Sequence, residues 1–291
     1  MVFNIRRLSQ IAIAATVAIA GVSAAPSSAQ ATDFGGWDYA NSSFKNGVHG
    51  TSIGGNSFEF YSMAVKDMGD RFIVALNANL NQNGGEDGIA YGDMLFNFGP
   101  KNLKGASDQS SLFGVKFQTT NSDSGVSQTG IYSGVKAKAV GAQNQGFSNF
   151  NQRTSYLPRY SSTSTSELNN FGDLQSTDAY FDGMRSGNNV LLNSINTGTR
   201  AGDISMLNKT QLGNMGVNFG HFGATGSQTF GFSFIKPKGF EGKFTSTLAF
   251  ECFNDAVALT GESKKTPEPL ALAGLAIVGG ALARKRRTAR A

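Results

Sequence analysis

Few side chains in this chain are suited to acid–base or nucleophilic work. Among its 291 residues are two histidines, His49 and His221, and one cysteine, Cys252. Acyl-transfer hydrolases pair a nucleophile with a base, most often histidine. His49 stands in the Gly-rich NGVHGTS, and His221 lies between two Phe–Gly pairs in NFGHFG. Neither belongs to an H-E-x-x-H helix, and no G-x-S-x-G elbow occurs. Glycoside hydrolysis needs two carboxyl groups at a set separation. The candidates are Glu59, Asp93, Asp173, Asp178 and Glu251. Glu59 and Glu251 lie on alternating stretches, at positions expected to face outward or line a concave sheet. Solvated acids on a strand face are the plainer reading of both.

Other residues suit binding rather than reaction. NGGEDG (83–88) and NSDSG (121–125) cluster oxygen donors with glycines, as cation loops do. Neither matches the twelve-residue calcium loop, and both read equally as hairpin turns. No metal ligand set and no cofactor is assigned. Trp37, Tyr39 and Tyr61 would suit sugar rings if their flat faces were exposed. Cys252 shares a strand face with Phe244, Leu248 and Phe250, which predicts a buried, inert thiol. A single cysteine also excludes an intrachain disulfide.

The elements that must position these residues are strands. QTFGFSF (228–234), KFTSTLAFECF (243–253) and SFEFYSMAVK (57–66) alternate apolar and polar residues, the period of a half-buried strand. In the last, Phe58, Phe60 and Ala64 are expected opposite Glu59, Tyr61, Met63 and Val65. Strands are also expected in 71–80, 89–98, 111–117 and 125–140, with weaker ones in 189–195, 203–207 and 215–219. Gly-, Asn- and Asp-rich breaks separate them. The reading is all-β: a single β-sandwich, jelly-roll-like, over 32–263, with the 23 phenylalanines filling the space between two sheets. The polar stretch 141–170 reads as a surface loop or insertion.

The ends of the chain have a different composition. Residues 1–31 have the layout of a signal peptide: Arg6 and Arg7, an apolar stretch Ile11–Val22, and the A-x-A site Ala29-Gln30-Ala31. A signal peptidase would cut after Ala31. At the other end, 264–291, the triplet Pro267-Glu268-Pro269 precedes the uncharged run Leu270–Ala283 and the basic tail Arg284, Lys285, Arg286, Arg287. As a helix, the 14-residue run would extend about 21 Å, against about 30 Å of hydrocarbon core. It could enter the inner membrane transiently, with the basic tail held cytoplasmic, but would make a marginal permanent anchor. Two of the 25 Lys+Arg fall in 1–31 and five in the tail, counting Arg290, which leaves 18 in the body, taken as 32–266, against 19 of the 20 Asp+Glu. The body is thus near −1, too weakly charged to attract nucleic acid.

The order of triplet, apolar run and basic end resembles the PEP-type (PEP-CTERM) sorting signal of bacterial proteins processed by an exosortase, a membrane protease or transpeptidase. The body is similar to cyanobacterial exosortase-dependent surface proteins in GGWDYA (35–40), FEFYSMAVK (58–66), IAYGDMLFNF (89–98), SDSGVSQTGIYSGVKAKAV (122–140), FGDLQSTDAYF (171–181), SQTFGFSF (227–234) and ECFND (251–255). The resemblance implies export, tail removal by the exosortase and delivery to the cell surface or extracellular polysaccharide. It implies no reaction. The expectation is a non-catalytic surface or extracellular-matrix protein; the alternative is a carbohydrate-binding or glycosidase-like β-sandwich.

Overall fold

The computed structural model describes residues 32–85, 87–120, 123–185 and 190–265. The expected signal peptide with Ala29 and Ala31, the triplet Pro267-Glu268-Pro269, the run 270–283 and the basic residues 284–287 lie outside them. Among the described residues no helix is long and apolar enough to cross a membrane.

Two six-stranded antiparallel sheets pack face to face. Sheet I has the order β1 (Thr32–Phe34), β2 (Trp37–Asn41), β5 (Phe60–Asp67), β6 (Arg71–Ala78), β12 (Gln228–Ile235), β11 (Ile204–Asn208). Sheet II runs β10 (Ser194–Gly202), β9 (Gly130–Lys138), β8 (Leu112–Lys116), β7 (Met94–Asn97), β13 (Gly242–Ala249), β14 (Ala256–Ser263). A two-residue pair, β3 (Val48–His49) and β4 (Ser52–Ile53), stands apart. The expected sandwich-like architecture is therefore present, in a chain that is mostly rather than wholly β.

Period-two alternation builds the core. Phe230, Phe232 and Phe234 of β12 point between the sheets, as do Phe244 and Leu248 of β13. Phenylalanine fills most of the gap: Phe60 stacks on Phe250 at 4.2 Å, and Phe240 meets Phe72 at 5.2 Å and Phe96 at 5.1 Å. Edge-to-face and offset contacts of this kind add about 0.5–1.5 kcal/mol per pair beyond burial.

The sequence pattern and the structure part in several places, including the strand expected over 189–195, which is found at Ser194–Gly202. Alternation in 57–66 does not run through: a bulge between Phe60 and Ser62 shifts the register, so Met63 and Val65, not Ala64, join Phe58 and Phe60 in the core. One extra residue reverses every later side chain. The stretch 215–219 is no strand; it links helix α5 (Lys209–Asn214) to a 3-10 turn, Phe219–Phe222. The polar segment 141–170 is not a loop throughout. It holds helix α2 (Phe150–Tyr160) and the one-turn helix α3 (Thr165–Leu168). Phe150, Arg153 and Leu157 form the buried stripe of α2, and Asn149 caps it by accepting the Gln152 N–H at 2.8 Å. With α1 (Leu103–Asp108) and α4 (Asp182–Arg185), these helices cover the outer face of sheet II, where Leu95, Leu112, Val135 and Ala258 form a second apolar cluster. A smaller third cluster, with Trp37, Ile73, Leu207 and Leu212, covers part of the outer face of sheet I.

Candidate functional site

The carboxylates singled out in the sequence are drawn into the interior. Glu59 precedes β5 and is fully buried. Its Oε1 accepts the N–H groups of Asn46 (3.4 Å) and Gly47 (3.1 Å), and its Oε2 that of Gly55 (2.6 Å). Burial pushes its pKa up to about 7, opposed by those three donors and by Arg153. Arg153 donates to the carbonyls of Leu168 (3.3 Å) and Asn46 (3.1 Å) and lies 4.8 Å over the Phe171 ring. Its other companion is Asp255, 4.0 Å away and equally buried. Asp255 accepts the N–H of Phe60 at 2.8 Å and of Ala256 at 2.7 Å; burial and the nearby Glu59 raise its pKa. One guanidinium thus faces two buried carboxyls, and charge balances when the two acids share one proton.

A second buried group surrounds Asp93. Its Oδ2 accepts the Ser124 hydroxyl (2.7 Å), the Ser194 hydroxyl (3.0 Å) and the Ile195 N–H (2.7 Å). Glu251 accepts the Ala90 N–H at 2.9 Å through Oε2, while Oε1 lacks a partner among the described residues. Burial, with Asp123 and Asp93 nearby, pushes Glu251 up to about 7. Lys116 lies within the field of both Asp93 and Glu251, and its own burial lowers its pKa. A third buried pair joins Lys236 to Asp67 at 3.0 Å; Lys236 also donates to the carbonyl of Lys264 at 2.6 Å.

None of these groups forms an open pair of acids. Glu59 and Glu251, the expected outward-facing candidates, are both interior and belong to different clusters. The reason is local: Glu59 sits just before β5 and Glu251 in the turn after β13, where each satisfies backbone N–H groups instead of following the strand's alternation. Asp173 accepts the N–H (2.8 Å) and hydroxyl (3.1 Å) of Thr260, and burial pushes it up to about 6. Asp178 caps a 3-10 turn through the Tyr180 N–H. The histidines serve other ends: His49 pairs with Asp87 at 2.9 Å, and His221 packs edge-on against Phe34.

The proposed aromatic platform is not on the surface. Trp37 is fully buried and donates to the Met215 carbonyl at 3.0 Å. Tyr39 is buried and accepts the Asn218 N–H at 3.1 Å. Tyr61 is half-buried, stacked parallel to Phe44 at 6.3 Å. Both were needed in the interior, because the third apolar cluster draws on the outer face of sheet I. Cys252 is buried, as the alternation predicts, and burial pushes its thiol up to about 12. Of the oxygen-rich loops, Glu86, Asn121 and Ser122 lie outside the described residues. Three of the others are engaged internally: Asp87 with His49, Asp123 with the Asn144 amide at 2.7 Å, and Ser124 with Asp93. Among the described residues no three His, Cys, Asp or Glu side chains are grouped to hold a metal ion.

An open cleft of about 260 Å3 lies between the loops at 82–83 and 117–120 and the strand β11. The sequence carried no signal for it, because its polar Gln, Asn and Thr and its apolar Phe117, Ile204 and Met206 are scattered over four segments. In comparison with known proteins, the chain matches no family model, no curated protein and no solved structure.

Proposed function

We propose that the chain is an exported, non-catalytic surface or extracellular-matrix protein, sorted by an exosortase that recognises and removes the C-terminal segment 264–291. The observation that carries the reading is the order of parts after the last strand. Pro267-Glu268-Pro269, an apolar run too short for a comfortable span, and Arg284–Arg287 follow β14 directly. Support from the body is that its buried acids bond to backbone N–H groups, hydroxyls and cations that hold strands and turns together. That is the pattern of a scaffold: the candidate acids Glu59, Asp93, Asp173, Asp178 and Glu251 are each engaged by backbone N–H groups or hydroxyls. In this reading signal peptidase removes 1–31, the run 270–283 enters the inner membrane transiently, and the body proceeds to the cell surface.

Intact mass and localisation of the native protein test this. The expected species lacks 1–31 and most of 270–291 and is found outside the inner membrane. Full-length protein released only by detergent would overturn the proposal. The second reading, binding of extracellular polysaccharide, is favoured by the open cleft.

A further inference from the structure

We infer that the cleft beside β11 is a binding site for a neutral saccharide. Its floor is a piece of core left uncovered. Met206 pairs with Phe232 and Ile204 with Phe234 across the β11–β12 ladder. Directly paired residues share a sheet face, so both point toward sheet II, as Phe232 and Phe234 do. Yet Met206 is 40% exposed, because sheet II does not reach over it. Phe117, just after β8, closes the inner end and stacks on Phe232 at 5.2 Å.

Above this floor stand neutral polar side chains. Gln118 is 95% buried; its Oε1 accepts the Tyr91 N–H at 3.0 Å, and its Nε2 has no partner among the described residues. Around it lie Gln82, Asn83, Thr119 and Thr120. Loop 81–85 is shaped for this: Asn81 accepts the N–H of Asn83 at 2.9 Å, and Gly84, at φ +67°, lies where a Cβ would come within 2.9 Å of Ala90.

Among the described residues no ionisable side chain lines the cleft. Arg200, which bonds the carbonyl of the cleft residue Thr129, is also held by Asp203. Amides and hydroxyls, each able to donate or accept, opposite a small apolar floor match a sugar ring with its equatorial hydroxyls and apolar face. The volume lies just below the roughly 300–1,000 Å3 of small-ligand pockets, which suits one or two rings.

The assignment concerns residues 82–206 and stands apart from the sorting reading. Its test is titration of the full chain with neutral oligosaccharides of glucose, galactose, mannose and xylose, and with their uronic-acid counterparts, followed by calorimetry and product chromatography. The expected result is saturable binding of at least one neutral sugar over its uronate. Asn83→Ala and Met206→Ser should each weaken it about tenfold, the worth of one good contact. No neutral sugar bound, equal binding of the uronate, or binding unchanged in Asn83→Ala and Met206→Ser would overturn the assignment. Shortened oligosaccharide products would leave the site standing and overturn the non-catalytic reading instead.

Discussion

Glu251 shows how a buried acid ties stability to pH. Its ordinary carboxyl pKa is about 4.3, and burial in the fold pushes it to about 7. Between those values the folded chain holds a proton that the unfolded chain has released. Stability from this group is therefore full below pH ~4 and lost as pH rises through about 7. Asp173, pushed to about 6, acts in the same direction. Asp67 acts oppositely: burial works against its charge, but the Gly69 N–H, Lys236 and the Lys264 N–H outweigh it and lower its pKa, so its contribution is lost toward acid pH. Thermal melts should show a higher midpoint near pH 5 than near pH 8. Glu251→Gln should raise the pH 8 midpoint and flatten the slope; an unchanged slope would remove Glu251 as its source. Arg153→Ala leaves Glu59 and Asp255 buried without their cation and should cost about 3–5 kcal/mol in urea unfolding. Cys252 should resist alkylation in the folded chain and react once it is denatured.

At the scale of elements, strands were legible wherever a single period ran unbroken. Phe230, Phe232 and Phe234 declare β12, and Phe244 with Leu248 declares β13. Legibility stopped at the bulge after Phe60, since nothing in FEFYS marks an inserted residue. It also failed for β10, whose NTGTRAG is polar because it forms an exposed edge. Helix α2 was hidden because its buried stripe has one residue per turn and includes an arginine. The cleft was invisible for another reason: Gln82, Gln118 and Met206 meet only through pairing of β11 with β12 and the path of two loops. The helical cover can be tested. Leu157→Ala should cost about 2–5 kcal/mol, as for other buried leucines, and Asn149→Ala about 1 kcal/mol through loss of the cap. Neither change should alter sugar binding, because α2 packs on the outer face of sheet II.

For the molecule as a whole, charge separates the ends from the body. The full sequence has a pI of about 9.3, whereas the body carries near −1. Under the sorting proposal, maturation should move the protein from a basic to a mildly acidic position in isoelectric focusing. A native species that still focuses near 9 would show that the basic tail is retained.

The last strand has a mechanical meaning. β14 is held along one side by the eight-residue ladder Gly242↔Ser263 to Ala249↔Ala256. On its other side Phe171 and Asp173 bond to Ala258, and Asp67 receives the Lys264 N–H. A pull on the chain beyond Lys265 runs along β14, so its rungs are sheared together rather than peeled one by one. A body tethered through that end would bear the drag of flowing water with its whole ladder at once.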